Sequence, residues 1–370
     1  MKQWITNQDG LENLQLVTDA PMPEGLKEGE VLVKVNRVSL NYRDTEVCMG
    51  LYKHHKYVPS GQSGLVPCSD ICGTIAKVSS STGDKVEGFK EGDRVMATFN
   101  QTHVKGQIVA EDMASGLGLP LAGCLTEYRI FPATGLVKVP DYLSDEEAAC
   151  LPIAAVTAWM SINSFQPLGQ PMSGKDKVVL LQGTGGVAIS GLQIAKALGL
   201  TTIITSSSDA KLERARKMGA DHTINYKTTP DWHEEVLRIT HNKGADVVFE
   251  TGGAQTLAKS FECVAFGGLI SCIGYLSGKE DSPGNRINTN VLALKRNVTL
   301  KGMLNGSRER FEEMLRCVYT GEQEKQIHPV VDKVFKFEEA KEAFQYLFQG
   351  DTLGRLLFRS LERGVLGEVN

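Results

Sequence analysis

The chain has 370 residues, more than one hydrophobic core usually supports, so two domains are expected. Hydrophobic residues make up 41% and charged residues 23%, the balance of an ordinary globular protein. A formal net charge of −4 argues against nucleic acid or an anionic membrane as the main partner, and no apolar run approaches the length of a membrane span.

Residues 1–10 are polar and carry no apolar core of a secretory leader. Residues 30–38 alternate apolar and polar side chains, as a half-buried strand does. Residues 71–78, which include Gly73, and residues 93–99 read similarly, with turn residues such as Gly92 and Pro132 between such segments. The first 150 residues are therefore expected to be β-rich. Residues 100–123 are glycine-rich with weak periodicity, which predicts a long loop.

The rhythm changes near Ala155. Strands are predicted at 178–182, 201–205, 245–250, 268–273 and 298–302, with helices at 186–198, 209–218, 232–241 and 255–264. Such alternation predicts a parallel sheet with crossover helices. After Asn305 come a predicted helix at 307–319, a short apolar stretch at 327–335, a helix at 337–349 and a strand at 354–359. Residues 360–370 read as a loosely held charged tail.

The most informative run is 178–188, VVLLQGTGGVA. Four apolar residues suit a strand buried on both faces. Gly183, Gly185 and Ala188 then match G-x-G-x-x-A, and an amphipathic stretch follows at once. Gly183 allows the tight turn, Gly185 lets a pyrophosphate approach the backbone, and the small Ala188 lets helix and strand pack closely. Gly186 and Val187 would present their N–H groups to that anion. The plain alternative is a glycine-rich turn in some other α/β protein.

The end of the next strand distinguishes the nicotinamide cofactors. An NAD site usually places a carboxylate there. This chain has Ser206, Ser207 and Ser208, with Lys211 one helical turn on. Ser206, Ser207 and Lys211 can supply hydrogen bonds and charge to a 2′-phosphate, so NADPH is the expected cofactor. Asp209 is the counter-indication, unless it caps or supports the helix that follows.

Eight cysteines are scattered along the chain, and only Cys68 and Cys72 lie close together. Nothing nearby completes a ligand set around that pair, so the cysteines are read as small buried apolar residues of a reducing compartment.

These segments in this order resemble the medium-chain dehydrogenase/reductase superfamily, most of all its zinc-free quinone-oxidoreductase-like and alcohol dehydrogenase-like branch. The resemblance rests on SLNYRD at 39–44, GDRV at 92–95, Leu151 and Pro152 with TAW at 157–159, and the glycine fingerprint. It continues through TSSS at 205–208, MGAD at 218–221, INY at 224–226, ETGG at 250–253, and Ile273 with Gly274. It implies an α/β chain with a GroES-like β-rich catalytic domain at 1–154. A Rossmann domain, a doubly wound parallel sheet, would span 155–304, and the C-terminal segment 305–370 would return to the first domain. It also implies that Asn41 bonds near the nicotinamide ribose and that Thr157 lies near the ring. Tyr226 would flank the adenosine phosphate beside Lys211, and Gly252, Ile273 and Gly274 would line the cofactor cleft.

The resemblance also locates the metal question. Zinc members carry their ligands where this chain has Asn41, Ser69 beside Asp70, and Ile153. Amide, hydroxyl and alkyl groups cannot form a thiolate/imidazole site, so no zinc is expected. One position departs from the quinone-reductase pattern: Glu46 stands where a tyrosine is usual, either as a surface residue or as a polar group facing substrate.

Without a metal, an activated alkene is the easier hydride acceptor, because hydrogen-bond donors can hold the resulting enolate. Tyr52 is the first candidate proton donor and Tyr42 the second, with Asn41 also in the catalytic set. His54 and His55, flanked by Lys53 and Lys56, read equally well as an exposed basic loop. A zinc-free carbonyl reductase is the alternative reaction, and a non-catalytic NADPH-binding protein is the alternative class. The expected partner is a small molecule, the expected assembly a homodimer, and the expected location cytoplasmic.

Overall fold

A computed structural model describes residues 1–53, 62–79, 88–280, 287–350 and 352–359. His54, His55 and the tail from residue 360 lie outside the described residues. In chain order the strands are β1 (Gln3–Ile5), β2 (Gln15–Val17), β3 (Glu30–Leu40), β4 (Asp70–Val78), β5 (Arg94–Ala97), β6 (Tyr128–Pro132) and β7 (Leu136–Lys138). Then follow β8 (Val178–Gln182), β9 (Thr201–Ser206), β10 (His222–Asn225), β11 (Ala245–Glu250), β12 (Val264–Cys272), β13 (Thr299–Gly302), β14 (Val331–Lys336) and β15 (Arg355–Arg359).

The chain forms two compact units. The first comprises Met1–Ile153, Ser307–Glu312 and Val331–Asn370; the second comprises Ala154–Gly306 and Glu313–Val330. Residues 313–330 thus group with the second unit, whereas the expected 305–370 block assigned them to the first.

The first unit is built on a sheet ordered β14-β15-β3-β4-β5-β7, with β6 also paired to β3. Alternation along β3 turns Val31, Val33 and Val35 into a core completed by Ile71, Ile75, Phe131, Phe344 and Phe358. A helix that the sequence reading did not anticipate, Tyr42–Cys48, starts where β3 ends. Its start is held by Asp44, whose Oδ2 accepts from the Asn41 N–H at 2.8 Å. Residues 100–123 are mostly irregular, with one short helix at Ala110–Met113.

The second unit carries a wholly parallel sheet ordered β10-β9-β8-β11-β12-β13. Numbered within the unit this is 3-2-1-4-5-6, the doubly wound order of a dinucleotide-binding fold. All five residues of β8 are buried, as the apolar run requires. The order reverses between β8 and β11, so their carboxyl ends flank the crevice at the switch point. No helix of the described residues is long and apolar enough to cross a membrane.

Candidate active site

On the second unit, the turn after β8 has the form the fingerprint predicts. Gly183 has φ +78°, a left-handed conformation that disfavours any side chain, and its N–H points to Thr205 Oγ1 at 3.4 Å. Gly185 precedes helix Gly186–Ala197, and no side chain caps it. The first N–H groups of that helix, those of Gly186 and Val187 among them, have no intrahelical acceptor. A Cβ placed on Gly185 would meet no described atom within 4 Å, so the space over the helix start is open. An uncapped helix N-terminus behind a glycine turn fits a pyrophosphate. The close-packing glycine is one the fingerprint reading missed. A Cβ on Gly191 would meet Phe249 Cε2 at 2.6 Å and Leu181 Cδ2 at 2.9 Å, so Gly191 brings the helix onto the sheet.

The segment after β9 gathers the predicted phosphate residues. Ser206 is buried, and its carbonyl accepts from the Tyr226 N–H at 3.1 Å. The β9–β10 pairing, Asn225 opposite Ser206, brings Tyr226 there, and that residue is 41% exposed. Ser207 is half-buried. The helix cap is Ser208, whose Oγ accepts from the Lys211 N–H at 3.4 Å. Asp209 stands in the first turn, exposed, and accepts from Asn225 Nδ2 at 2.8 Å. It therefore does not serve as the cap.

Gly252, Ile273 and Gly274 meet around Glu250, the last residue of β11. The Ile273 and Gly274 N–H groups donate to the Glu250 carbonyl at 2.8 and 3.2 Å, and the Gly252 N–H donates to Glu250 Oε1 at 3.0 Å. Thr157 lies on helix Val156–Asn163, which packs on the helix that begins at Gly186. Thr157 is 2% exposed, and its Oγ1 has no hydrogen-bond partner among the described residues. A buried hydroxyl left unpaired suits a ligand group.

On the first unit, Asn41, Ser69 and Asp70 share one buried cluster, which half-buried Ile153 joins through its N–H, centred on a residue that sequence reasoning missed. Arg355 donates from Nε to Ser39 Oγ at 2.9 Å, from Nη1 to Asn41 Oδ1 at 2.6 Å, and from Nη2 to Asp70 Oδ2 at 2.6 Å. Asp70 also accepts from the Ile153 N–H at 3.3 Å and from Ser69 Oγ at 3.1 Å. Burial pushes the Asp70 carboxyl up, while the Arg355 charge pulls it back down. A guanidinium is a permanent cation, so this donor set does not fit a zinc ion. Among the described residues, no group of three or more His, Cys, Asp or Glu side chains could hold a metal.

The tyrosines differ sharply. Tyr42 is 39% exposed, whereas Tyr52 is 8% exposed and packs with Val47, Leu65 and Leu119. Arg43 lies over the Tyr52 ring at 4.6 Å and over Phe99 at 4.8 Å. Its Nη1 and Nη2 donate to the carbonyls of Leu117 and Leu119 at 3.2 and 2.7 Å. Burial raises the Tyr52 phenol; Arg43 opposes this, while Glu46 and Asp44 add to the rise. Glu46 is buried, which removes the surface option for it, and its charge acts on both Tyr42 and Tyr52. Arg43 was legible only as part of SLNYRD; its stacking depends on Phe99, far along the chain.

Two family models match the chain: an alcohol dehydrogenase GroES-like domain over residues 27–141 and a zinc-binding dehydrogenase over residues 186–320. A zinc-type alcohol dehydrogenase-like protein of Schizosaccharomyces pombe is 41% identical over 340 residues, 91% of this chain and 93% of that protein. A 2-haloacrylate reductase of a Burkholderia species is 32% identical over 334 residues, 89% of this chain and 90% of that one. Among solved structures, a candidate alcohol dehydrogenase from Sinorhizobium meliloti superposes with a TM-score of 0.81 at 35% identity, covering 97% of this chain and 98% of the other.

Proposed function

Because the chain belongs to the medium-chain dehydrogenase/reductase superfamily of oxidoreductases, we propose that it transfers hydride from NADPH to an activated alkene without zinc. The dinucleotide would be held by Gly183, Gly185, Gly186 and Val187 at the pyrophosphate. Ser206, Ser207, Lys211 and Tyr226 would take the adenosine end, and Thr157, Gly252, Ile273 and Gly274 the nicotinamide end. Asn41 would bond the adjoining ribose. Bound there, the reduced nicotinamide supplies the hydride.

The protein's own part is proton chemistry. Hydride addition at the β-carbon turns the conjugated carbonyl into an enolate. The Tyr52 phenol delivers a proton to the α-carbon, and the phenolate is then reprotonated by water. The observation that carries this reading is Tyr52, buried beneath a guanidinium that favours its ionised form. Exposed Tyr42 is the weaker candidate. A relative named for reducing 2-haloacrylate, an activated alkene, supports the same substrate class.

The reading is tested by following the absorbance of reduced cofactor, NADPH and NADH in parallel, with enones, quinones and aldehydes. Turnover of enones or quinones with NADPH is expected. Reduction of aldehydes alone would favour a carbonyl reductase, and tight binding without turnover a sensor.

A homodimer belongs to this proposal. Strand β13 ends the parallel sheet, and exposed Phe266, Leu294 and Leu300 lie on β12, on the preceding helix Thr289–Arg296 and on β13 itself. Eight free cysteines suit the proposed cytoplasmic location. A dimeric mass in solution is expected from light scattering.

A further inference from the structure

Gln182 and Glu250 close the ends of the two strands that flank the switch point, and both are almost fully buried. Gln182 Nε2 donates to Glu250 Oε2 at 2.9 Å and to Ser260 Oγ at 2.8 Å. Gln182 Oε1 accepts the N–H groups of Thr251 and Gly252 at 3.1 and 3.3 Å. Glu250 Oε1 accepts the N–H groups of Gly252 and Gly253 at 3.0 and 2.9 Å and the Thr256 hydroxyl; Oε2 also accepts the Ser260 hydroxyl. The Thr251 hydroxyl donates back to the Gln182 carbonyl at 3.1 Å.

A buried carboxylate is costly and adds little to stability when an apolar pair could fill the same volume. Here every other partner of the two side chains belongs to the loop 251–253 that follows β11, or is Thr256 or Ser260, at the start of and on helix Leu257–Cys263. Gln182 is followed directly by Gly183, the first residue of the phosphate turn. Glu250 is followed directly by the 251–253 loop, and its carbonyl holds Ile273 and Gly274. The pair therefore ties the turn on one side of the switch point to both loops on the other.

We infer that Gln182 and Glu250 are positioning residues that hold the dinucleotide crevice in its binding geometry before the cofactor arrives. The inference rests on the reading that a nicotinamide dinucleotide occupies this unit, and it adds how the unit is set up for that ligand. A crevice fixed in advance loses less entropy on binding, so the effect falls on affinity. It falls most on a ligand that spans the switch point. A fragment confined to the adenosine side, beyond β9, does not need both rims in register.

The test uses the full chain, reduced dinucleotide, and adenosine 2′,5′-bisphosphate as the one-sided fragment, with binding read by calorimetry. Glu250→Gln leaves two amides facing one another, so donor meets donor at one contact. It is expected to raise the dinucleotide Kd about tenfold or more and the fragment Kd less than about threefold. The exchange Gln182→Glu with Glu250→Gln restores one amide facing one carboxylate. It should bring the dinucleotide Kd back to within about threefold of the unaltered protein.

If Glu250→Gln does not fold, Thr256→Val serves instead. It removes one donor to the carboxylate and should raise the dinucleotide Kd with the same selectivity. Equal losses for dinucleotide and fragment, an unchanged dinucleotide Kd, or an exchange that rescues nothing overturns the inference. If the unaltered protein binds no dinucleotide at all, the cofactor reading itself fails, and the positioning role fails with it.

Discussion

Arg355 donates to Asp70 at 2.6 Å inside a cluster where both are almost fully buried. The same guanidinium reaches Asn41 and Ser39, so one cation neutralises Asp70 and fixes Asn41, two of the positions where the sequence resemblance puts the ligands of zinc members. Arg355→Met should strip Asp70 of its counter-charge and cost about 3–5 kcal/mol of stability. Thermal unfolding measures this, and Arg355→Lys should recover only part of the loss, because one ammonium cannot serve three acceptors in a plane. Purified protein should contain far less than one zinc per chain by elemental measurement. A stoichiometric, tightly held zinc would reverse the reading of Asn41, Ser69 and Ile153.

Gly185 and Gly191, one at the start of the same helix and one within it, should respond in opposite ways. Gly185→Val places a branched side chain in the open space over the helix start, so the protein should fold normally and fail to bind dinucleotide. Gly191→Ala puts a methyl group against Phe249 and Leu181 and should cost about 1–3 kcal/mol in stability. Unfolding curves and cofactor titration of the two variants separate these effects. Normal binding by Gly185→Val would end the fingerprint assignment.

Lys211 follows its helix cap, Ser208, by three residues, and Ser206 ends β9 two residues before that cap. Binding should favour NADPH over NADH by about tenfold or more, and Lys211→Ala should weaken NADPH while leaving NADH nearly unchanged. Parallel titrations with both cofactors decide it; equal losses would remove the phosphate from that site.

Tyr52→Phe should lower turnover by about 10²–10³ with little change in NADPH affinity. Arg43→Met removes the charge that opposes the burial-driven rise of the phenol, so the alkaline limb of the rate profile should move to higher pH. Full activity in Tyr52→Phe would leave Tyr52 as a packing residue.

Asp44 is fully buried, and burial, the largest influence, lifts its carboxyl from 3.8 to about 6. A carboxyl with a higher pKa in the folded state keeps its proton there while the unfolded chain has already lost it. Its contribution to stability is therefore best below about pH 4, falls as the pH rises to about 6, and is flat above. Relative to Asp44→Asn, the unaltered protein should lose on the order of 1–3 kcal/mol across that window. Unfolding midpoints taken at several pH values give the comparison, and parallel curves for the two proteins would contradict it.

The parallel sheet was legible because its strands are buried apolar runs bounded by glycine turns. β8 matches its expected span, and β9 runs one residue longer than expected. β10, of sequence HTIN, and helix Thr289–Arg296 escaped notice because they lie toward the sheet's margins and carry weak apolar patterns. The partners of Arg355 lie 285 to 316 residues away in sequence, a separation at which no local pattern survives. Gln182 and Glu250 did leave a signal: each is a polar residue ending an otherwise apolar buried strand. Such a position calls for a partner, and the two strand ends supply one another.

The cysteines acquire a different meaning in a protein that handles conjugated alkenes. Any carbon that accepts hydride from a nicotinamide also accepts a thiolate, so such substrates are alkylating agents toward the protein that binds them. Cys48, Cys68, Cys72, Cys124, Cys150 and Cys263 are all buried. Burial pushes Cys124, Cys150 and Cys263 up to about 12 and the half-buried Cys272 to about 11. At neutral pH almost no thiolate exists on these residues to attack. Keeping six of its eight cysteine sulfurs buried would make the chain chemically tolerant of its own proposed substrates.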